Sequence, residues 1–428
     1  MKRWFLLIMS FMLIPSCEDQ MSFLPGGGTS TGNQGVNSTY EMKLEQEDDY
    51  YRATVSIDVR NHSNDSWNKL LFYFEHFLQP FDIEVTVNGD EAETRQVQSR
   101  FAIDLNEFIR PNDRAVVELS YQFYPGEAGS VQAIRPWYPL LGDYVQGEWQ
   151  VFESNNTYNR MARLAKNHYM LTYDLQGKQV ITSTGEKVDE STIEIEDTDV
   201  FSTIVMPEEI NEIETTVGDT NVLSVNVQPP DVEIALDKIK QLEDIIGPYP
   251  GDQLIFVEDE HQTMFQLPGT FVHRTTMQGG SESGWLIYEL IQLWYDSIHL
   301  EELQTDFWIK NVLVMMTLET FNGGVDAEAL QSQMDEEVEY VLPVNLHRED
   351  YNNDEFHLFT QVLPRAALWE LIEENWQDEN VQDAPKQFLS EFSNEFMGKQ
   401  ISTEDVAEFL CEYFAITEEE LHNYIVIE

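Results

Sequence analysis

The chain has 428 residues, and its 78 Asp and Glu against 24 Lys and Arg leave a formal charge of −54. So anionic a surface argues against nucleic acid and anionic lipid headgroups as direct partners, since both repel it. Yet 42% of the residues are hydrophobic and 12% aromatic, which excludes a disordered acidic chain and predicts a folded protein whose surface suits high salt or alkaline medium, where screening weakens self-repulsion.

In chain order, the first element is a processing signal. Met1-Lys2-Arg3 is basic, Trp4 to Leu13 is apolar but too short to span a bilayer, and Ile14-Pro15-Ser16-Cys17 resembles a lipobox. Residues 1–16 are therefore predicted to be a lipoprotein signal peptide. Cys17 would carry the acyl chains, and residues 17–37, with Gly26-Gly27-Gly28 among Ser, Thr and Asn, would form a flexible tether. The expected location is the extracytoplasmic face of a bacterial cell membrane, with the membrane as partner through the lipid on Cys17.

From 38 to 229 the chain is written in short alternating segments, such as Tyr51 to Val59, Leu70 to Glu75, Ile83 to Gly89 and Ala115 to Phe123. Asn61 to Asn64 and Asn88-Gly89 are turn signals between them, as in an antiparallel β-sandwich. Pro229-Pro230 marks a boundary, beyond which the apolar period becomes helical. The strongest stretches are Val232 to Ile246, Gly284 to Ser297, Trp308 to Thr320, Leu358 to Asn375, Pro385 to Met397 and Thr403 to Phe414, the last opened by Ser402. Gln253 to Glu258 and Thr263 to His273 read as a small sheet. The expected class is α+β and multidomain, a β-sandwich at 38–229 followed by a mainly helical domain at 230–428.

Within the helical half, Tyr288-Glu289-Leu290-Ile291-Gln292 has the spacing of H-E-x-x-H with both histidines replaced. In that motif two His one turn apart hold zinc, and the Glu polarises the metal-bound water. Gly247-Pro248-Tyr249-Pro250 precedes it, and Met264-Phe265-Gln266-Leu267-Pro268-Gly269 stands between the two. Asp306-Phe307-Trp308 leads to Asn311 after it, with residues 293–310 separating Gln292 from Asn311. Further back lie Trp137-Tyr138-Pro139, Gly147-Glu148-Trp149 and the strand phrase Tyr169 to Gly185. In this order the phrases resemble the gluzincin aminopeptidase family, the aminopeptidase N-like zinc metallopeptidases.

The resemblance implies a thermolysin-like peptidase domain whose site has degenerated. Tyr288 and Gln292 stand at the two His positions and Asn311 at that of the third zinc ligand, a Glu. Glu289 remains at the general-base position. Gln266 takes the place of the acidic residue that binds a peptide's α-amine, and Leu363, in Val362-Leu363-Pro364-Arg365, that of the transition-state Tyr. No zinc or other cofactor is expected, because neutral Tyr, Gln and Asn are poor zinc donors. The nine histidines include no pair three or four residues apart, and Cys17 and Cys411 are too distant in sequence to make a metal box. The reading is a pseudopeptidase that binds peptide or protein in its cleft or serves as a scaffold. The alternative is an active zinc metallopeptidase with a rebuilt, non-standard metal site.

Overall fold

The computed structural model describes residues 36–47, 49–74, 78–97, 100–125, 131–142, 144–145, 147–149, 166–198, 200–210, 212–258, 265–267, 269–273, 282–301, 303–324, 343–346, 362–376 and 383–426. The expected signal peptide, Cys17 and most of the expected tether lie outside them, and residues 33–428 form one compact unit. Among the described residues no helix is long and apolar enough to cross a membrane.

The first half supplies β1 (Val36–Glu47), β2 (Tyr50–Asn61), β3 (Trp67–Tyr73), β4 (Phe81–Val87), β5 (Asp90–Glu91), β6 (Glu93–Val97), β7 (Arg100–Ile109) and β8 (Arg114–Phe123). After these come β9 (Gln132–Ile134), β10 (Leu140–Leu141), β11 (Tyr144–Val145), β12 (Glu148–Trp149), β13 (Asn167–Asp174), β14 (Lys178–Thr182), β15 (Glu186–Asp189), β16 (Thr192–Thr198) and β17 (Thr203–Pro207). An eight-stranded sheet runs β15-β16-β13-β1-β2-β8-β4-β5, beside sheets β10-β3-β7-β6 and β14-β17-β9. Asn88 and Gly89 take φ of 53° and 86°, the left-handed pair a tight hairpin needs, and so join β4 to β5. The core is unusually aromatic: Tyr40, Tyr138, Tyr169 and Phe201 pack on one another, and the Tyr138 hydroxyl is held at the Phe201 backbone. One pairing departs from the antiparallel expectation. β1 and β13 run parallel, because β13 reaches β1 after the long excursion through β3 to β12 rather than by a hairpin.

The second half is a mixed sheet carrying helices. β18 (Glu212–Val217), β19 (Thr220–Val225), β20 (Leu254–Glu258), β21 (Phe265–Leu267) and β22 (Thr270–His273) take the order β18-β19-β20-β22-β21. Its two faces are buried against different partners. Val222, Leu254, Phe256 and Phe271 enter the helical core, while Leu223, Val225, Ile255, Val257 and Val272 pack on Ala133, Ile204 and Met206 of β9 and β17. Burial on both faces is why β20 reads Leu-Ile-Phe-Val without polar alternation. β18 and β19 precede Pro229-Pro230 yet already belong to this layer, since β19 pairs with β20 in parallel.

Pro229 instead opens α1 (Pro229–Ile246), at the first turn where a missing N–H costs nothing. The other helices are α2 (Glu282–Tyr295), α3 (Leu303–Phe321), α4 (Leu363–Asn375), α5 (Ala384–Phe396), α6 (Thr403–Phe414) and α7 (Glu418–Leu421). Short pairs β23 (His299–Leu300) with β25 (Gln400–Ile401), and β24 (Val344–Asn345) with β26 (Ile425–Val426), tie the C-terminal region back. Ser402 closes a capping box with Asp405 and starts α6 where the sequence placed it. Cys411, on α6, is free and half-buried, with its thiol pKa raised by burial.

Candidate functional site

α2 is held in place by its last turn. Trp294 Nε1 donates to the Gly247 carbonyl at 3.0 Å, and its ring meets Tyr249 edge-on, so the Gly-Pro-Tyr-Pro turn is a bracket for this helix. The Tyr295 and Thr317 hydroxyls, both buried, share a 2.7 Å hydrogen bond that ties α2 to α3. On its other side α2 packs against β21 and β22. β21 is the edge strand and carries Gln266, whose backbone pairs with Phe271. The Gln266 side chain lies outside the described residues.

Burial along α2 exposes one stripe. From Leu286 to Tyr295 only Tyr288, Glu289 and Gln292 are not fully buried. Positions i, i+1 and i+4 share a face, so the three polar side chains open together. Tyr288 is hydrogen-bonded to Gln292, while burial and the neighbouring Glu289 raise its phenol pKa. Burial alone drives Glu289 from 4.5 to about 7.

α3 repeats the pattern. Asn311 and Met315 are half-buried among buried neighbours, and one turn further Glu319 is half-buried as well. The Asn311 Nδ2 is buried and has no hydrogen-bond partner. Two turns on, Glu319 meets Arg365 of α4 at 3.4 Å and accepts from Trp369 Nε1 at 3.0 Å. Desolvation raises the Glu319 pKa, against the opposing pull of Arg365. Leu363, at the start of α4, is buried in the apolar core of the helical half. The structure thus joins Tyr288, Glu289 and Gln292 on one face, sets Asn311 on the adjoining helix, and leaves Leu363 with no polar group to offer.

The phrase Asp306-Phe307-Trp308 is explained by packing. Asp306 Oδ1 accepts from Thr403 N at 2.9 Å and from Thr403 Oγ1 at 2.7 Å, and Trp308 Nε1 donates to the same hydroxyl at 3.0 Å. A buried carboxylate at the N-terminus of α6 satisfies free N–H groups and complements the helix dipole. These residues hold the scaffold whether or not a metal is bound.

The donor set does not fit zinc. Tyr288 offers a phenol, Gln292 and Asn311 are neutral amides, Asn311 turns a buried N–H donor without a partner, and Glu289 is the one carboxylate of the set. Zinc takes deprotonated or lone-pair donors of His, Cys or carboxylate type. Among the described residues, the one cluster of three such groups with metal-compatible spacing is His168, Glu194 and Glu196, on the sandwich. Sequence reading missed both this cluster and the Glu319–Arg365–Trp369 group. Strand alternation at 194 and 196, and the i+8 spacing from Asn311 to Glu319, were the available signals.

No family model matches the chain, and no curated protein matches it by sequence. Solved structures do. An M1 zinc metallopeptidase from Deinococcus radiodurans superposes with a TM-score of 0.54 at 14% identity, over 91% of this chain and 93% of that one. The fold is that of the M1 zinc metallopeptidases. A variant of the same enzyme bound to a Tyr-Ser-Ala substrate gives 0.54 at 15% identity, over 91% and 94%. Leukotriene A4 hydrolase from Saccharomyces cerevisiae gives 0.53 at 12% identity, over 90% of this chain and 66% of that one. The gluzincin aminopeptidase architecture read from the sequence phrases is thus the architecture of the molecule.

Proposed function

We propose that this protein is a non-catalytic pseudopeptidase, anchored through an acylated Cys17 at the extracytoplasmic face of a bacterial membrane, which uses its cleft to bind an extended peptide or protein segment. What supports this is the stripe Tyr288, Glu289 and Gln292 on α2 together with Asn311 on α3, since the resemblance aligns the neutral Tyr288, Gln292 and Asn311 with the ligand positions of a zinc peptidase. Beside it, β21 ends the mixed sheet, and an edge strand can accept a peptide as a further strand. That the Deinococcus enzyme holds a Tyr-Ser-Ala substrate supports a peptide as the ligand class.

The test rebuilds the site. In Tyr288→His, Gln292→His, Asn311→Glu the helical spacing and Glu289 are already present, so the triple variant should bind one more zinc than the wild type, with affinity reduced by the missing outer partners. Aminoacyl-anilide cleavage is a secondary readout, since Leu363 cannot stabilise an oxyanion. A folded triple variant that takes up no additional zinc refutes the alignment. Wild-type zinc that depends on Glu289 would replace this reading with a hydrolase using a rebuilt site. The anchor is tested by intact mass: Cys17 should begin the mature chain and carry acyl groups, and an unlipidated chain starting elsewhere rejects it.

A further inference from the structure

We propose that the outer face of the eight-stranded sheet carries a divalent transition-metal site formed by His168, Glu194 and Glu196, separate from the peptidase cleft. β13 and β16 pair antiparallel, with a bulge between Asn167 and Tyr169. Bulges re-aim the side chain they displace. Here Asn167 and Tyr169 are buried and His168 is turned outward, as are Glu194 and Glu196 between and beyond the buried Ile193 and Ile195. One ligand atom from each of the three lies within 4.8 Å of the others. The His168 Nε2 to Glu194 Oε1 distance is 3.6 Å, close to the edge of about 3.4 Å between two ligands on a tetrahedral zinc.

The charge around the cluster argues for a cation independently of that spacing. Glu186 of the edge strand β15 is the direct cross-strand partner of Glu194, a like-charge pair that repels. Among the described residues no Lys or Arg is paired with Glu186, Glu194 or Glu196. One imidazole and two carboxylates on strands, with water completing the shell, suit Zn²⁺ better than Mg²⁺ or Ca²⁺, which favour all-oxygen sites.

The experiment is zinc titration of the full chain by equilibrium dialysis and elemental analysis, repeated in excess Mg²⁺. Wild type should bind one equivalent, and His168→Ala and Glu194→Gln should each weaken binding by more than about tenfold, with unchanged circular dichroism because both side chains face outward. Glu289→Gln should keep the equivalent. No zinc bound, or zinc unaffected by His168→Ala, overturns the proposal. Zinc lost in Glu289→Gln but kept in His168→Ala overturns it too, and in addition overturns the non-catalytic reading of the cleft. Absence of zinc altogether leaves that reading standing, so the two fail separately.

Discussion

Glu289 is the residue whose chemistry changes most with its surroundings. Unfolded, it titrates near 4.5; folded, at about 7, because burial disfavours the carboxylate. The native state therefore binds a proton more tightly than the unfolded state. Its neutral form is fully compatible with folding below about pH 4.5, and stability falls as pH rises from there through about 7. Above that, the ionised group destabilises by about 3 kcal/mol at most, less for the water that reaches this half-buried site. Glu289→Gln should then be more stable than wild type by about 1–3 kcal/mol at pH 8 and nearly equal to it at pH 4.5. Urea unfolding at the two pH values checks this, and a gain independent of pH would contradict it. Glu289 stood out in Tyr288-Glu289-Leu290-Ile291-Gln292, but its altered acidity was not legible there, since that depends on which groups pack around the helix.

At the scale of elements, α6 is fastened to α3 by one carboxylate. Asp306 is 1% exposed and serves both the backbone N–H and the hydroxyl of Thr403. Asp306→Ala would leave those donors and the Trp308 indole contact without their organiser, costing about 2–4 kcal/mol. The expected result is a lower urea midpoint with earlier loss of protection in α6 by hydrogen exchange. Unchanged stability would mean that Thr403 finds other partners. The helices themselves were legible: the apolar period placed Thr403 to Phe414 on its observed bounds, and Val232 to Ile246 missed only the first turn, which Pro229 opens. For α4 the expected start at Leu358 precedes the observed Leu363, and residues 358–361 lie outside those described.

For the whole molecule, the governing quantity is the charge of −54. Carboxylates crowd the surface of the compact state, so folding works against its own field, and that repulsion is screened over about 8–10 Å at physiological ionic strength and over less in stronger salt. The melting temperature should therefore rise between low salt and about 1 M sodium chloride. A flat or falling midpoint would show that charge repulsion does not limit stability. The sandwich and helical layers are joined through the apolar cluster shared by β9, β17, β19, β20 and β22. Apolar burial is not screened by salt, so this joint should not loosen as salt rises.

The sequence by itself determined the elements, the class α+β and the order of peptidase phrases, because hydrophobic period, caps and turn residues act over a few neighbours. It also supplied the side-chain types at Tyr288, Gln292 and Asn311, which are poor zinc donors. Only the tertiary structure decided where the sheet boundary falls, because strand pairing is long-range and takes β18 and β19 across Pro229 into the helical layer. It alone brought Arg365 to Glu319 and Asp306 to Thr403, nearly a hundred residues away in the latter case, and it alone gathered His168, Glu194 and Glu196 on one face. Convergence of distant side chains depends on how layers pack, and no local pattern encodes it.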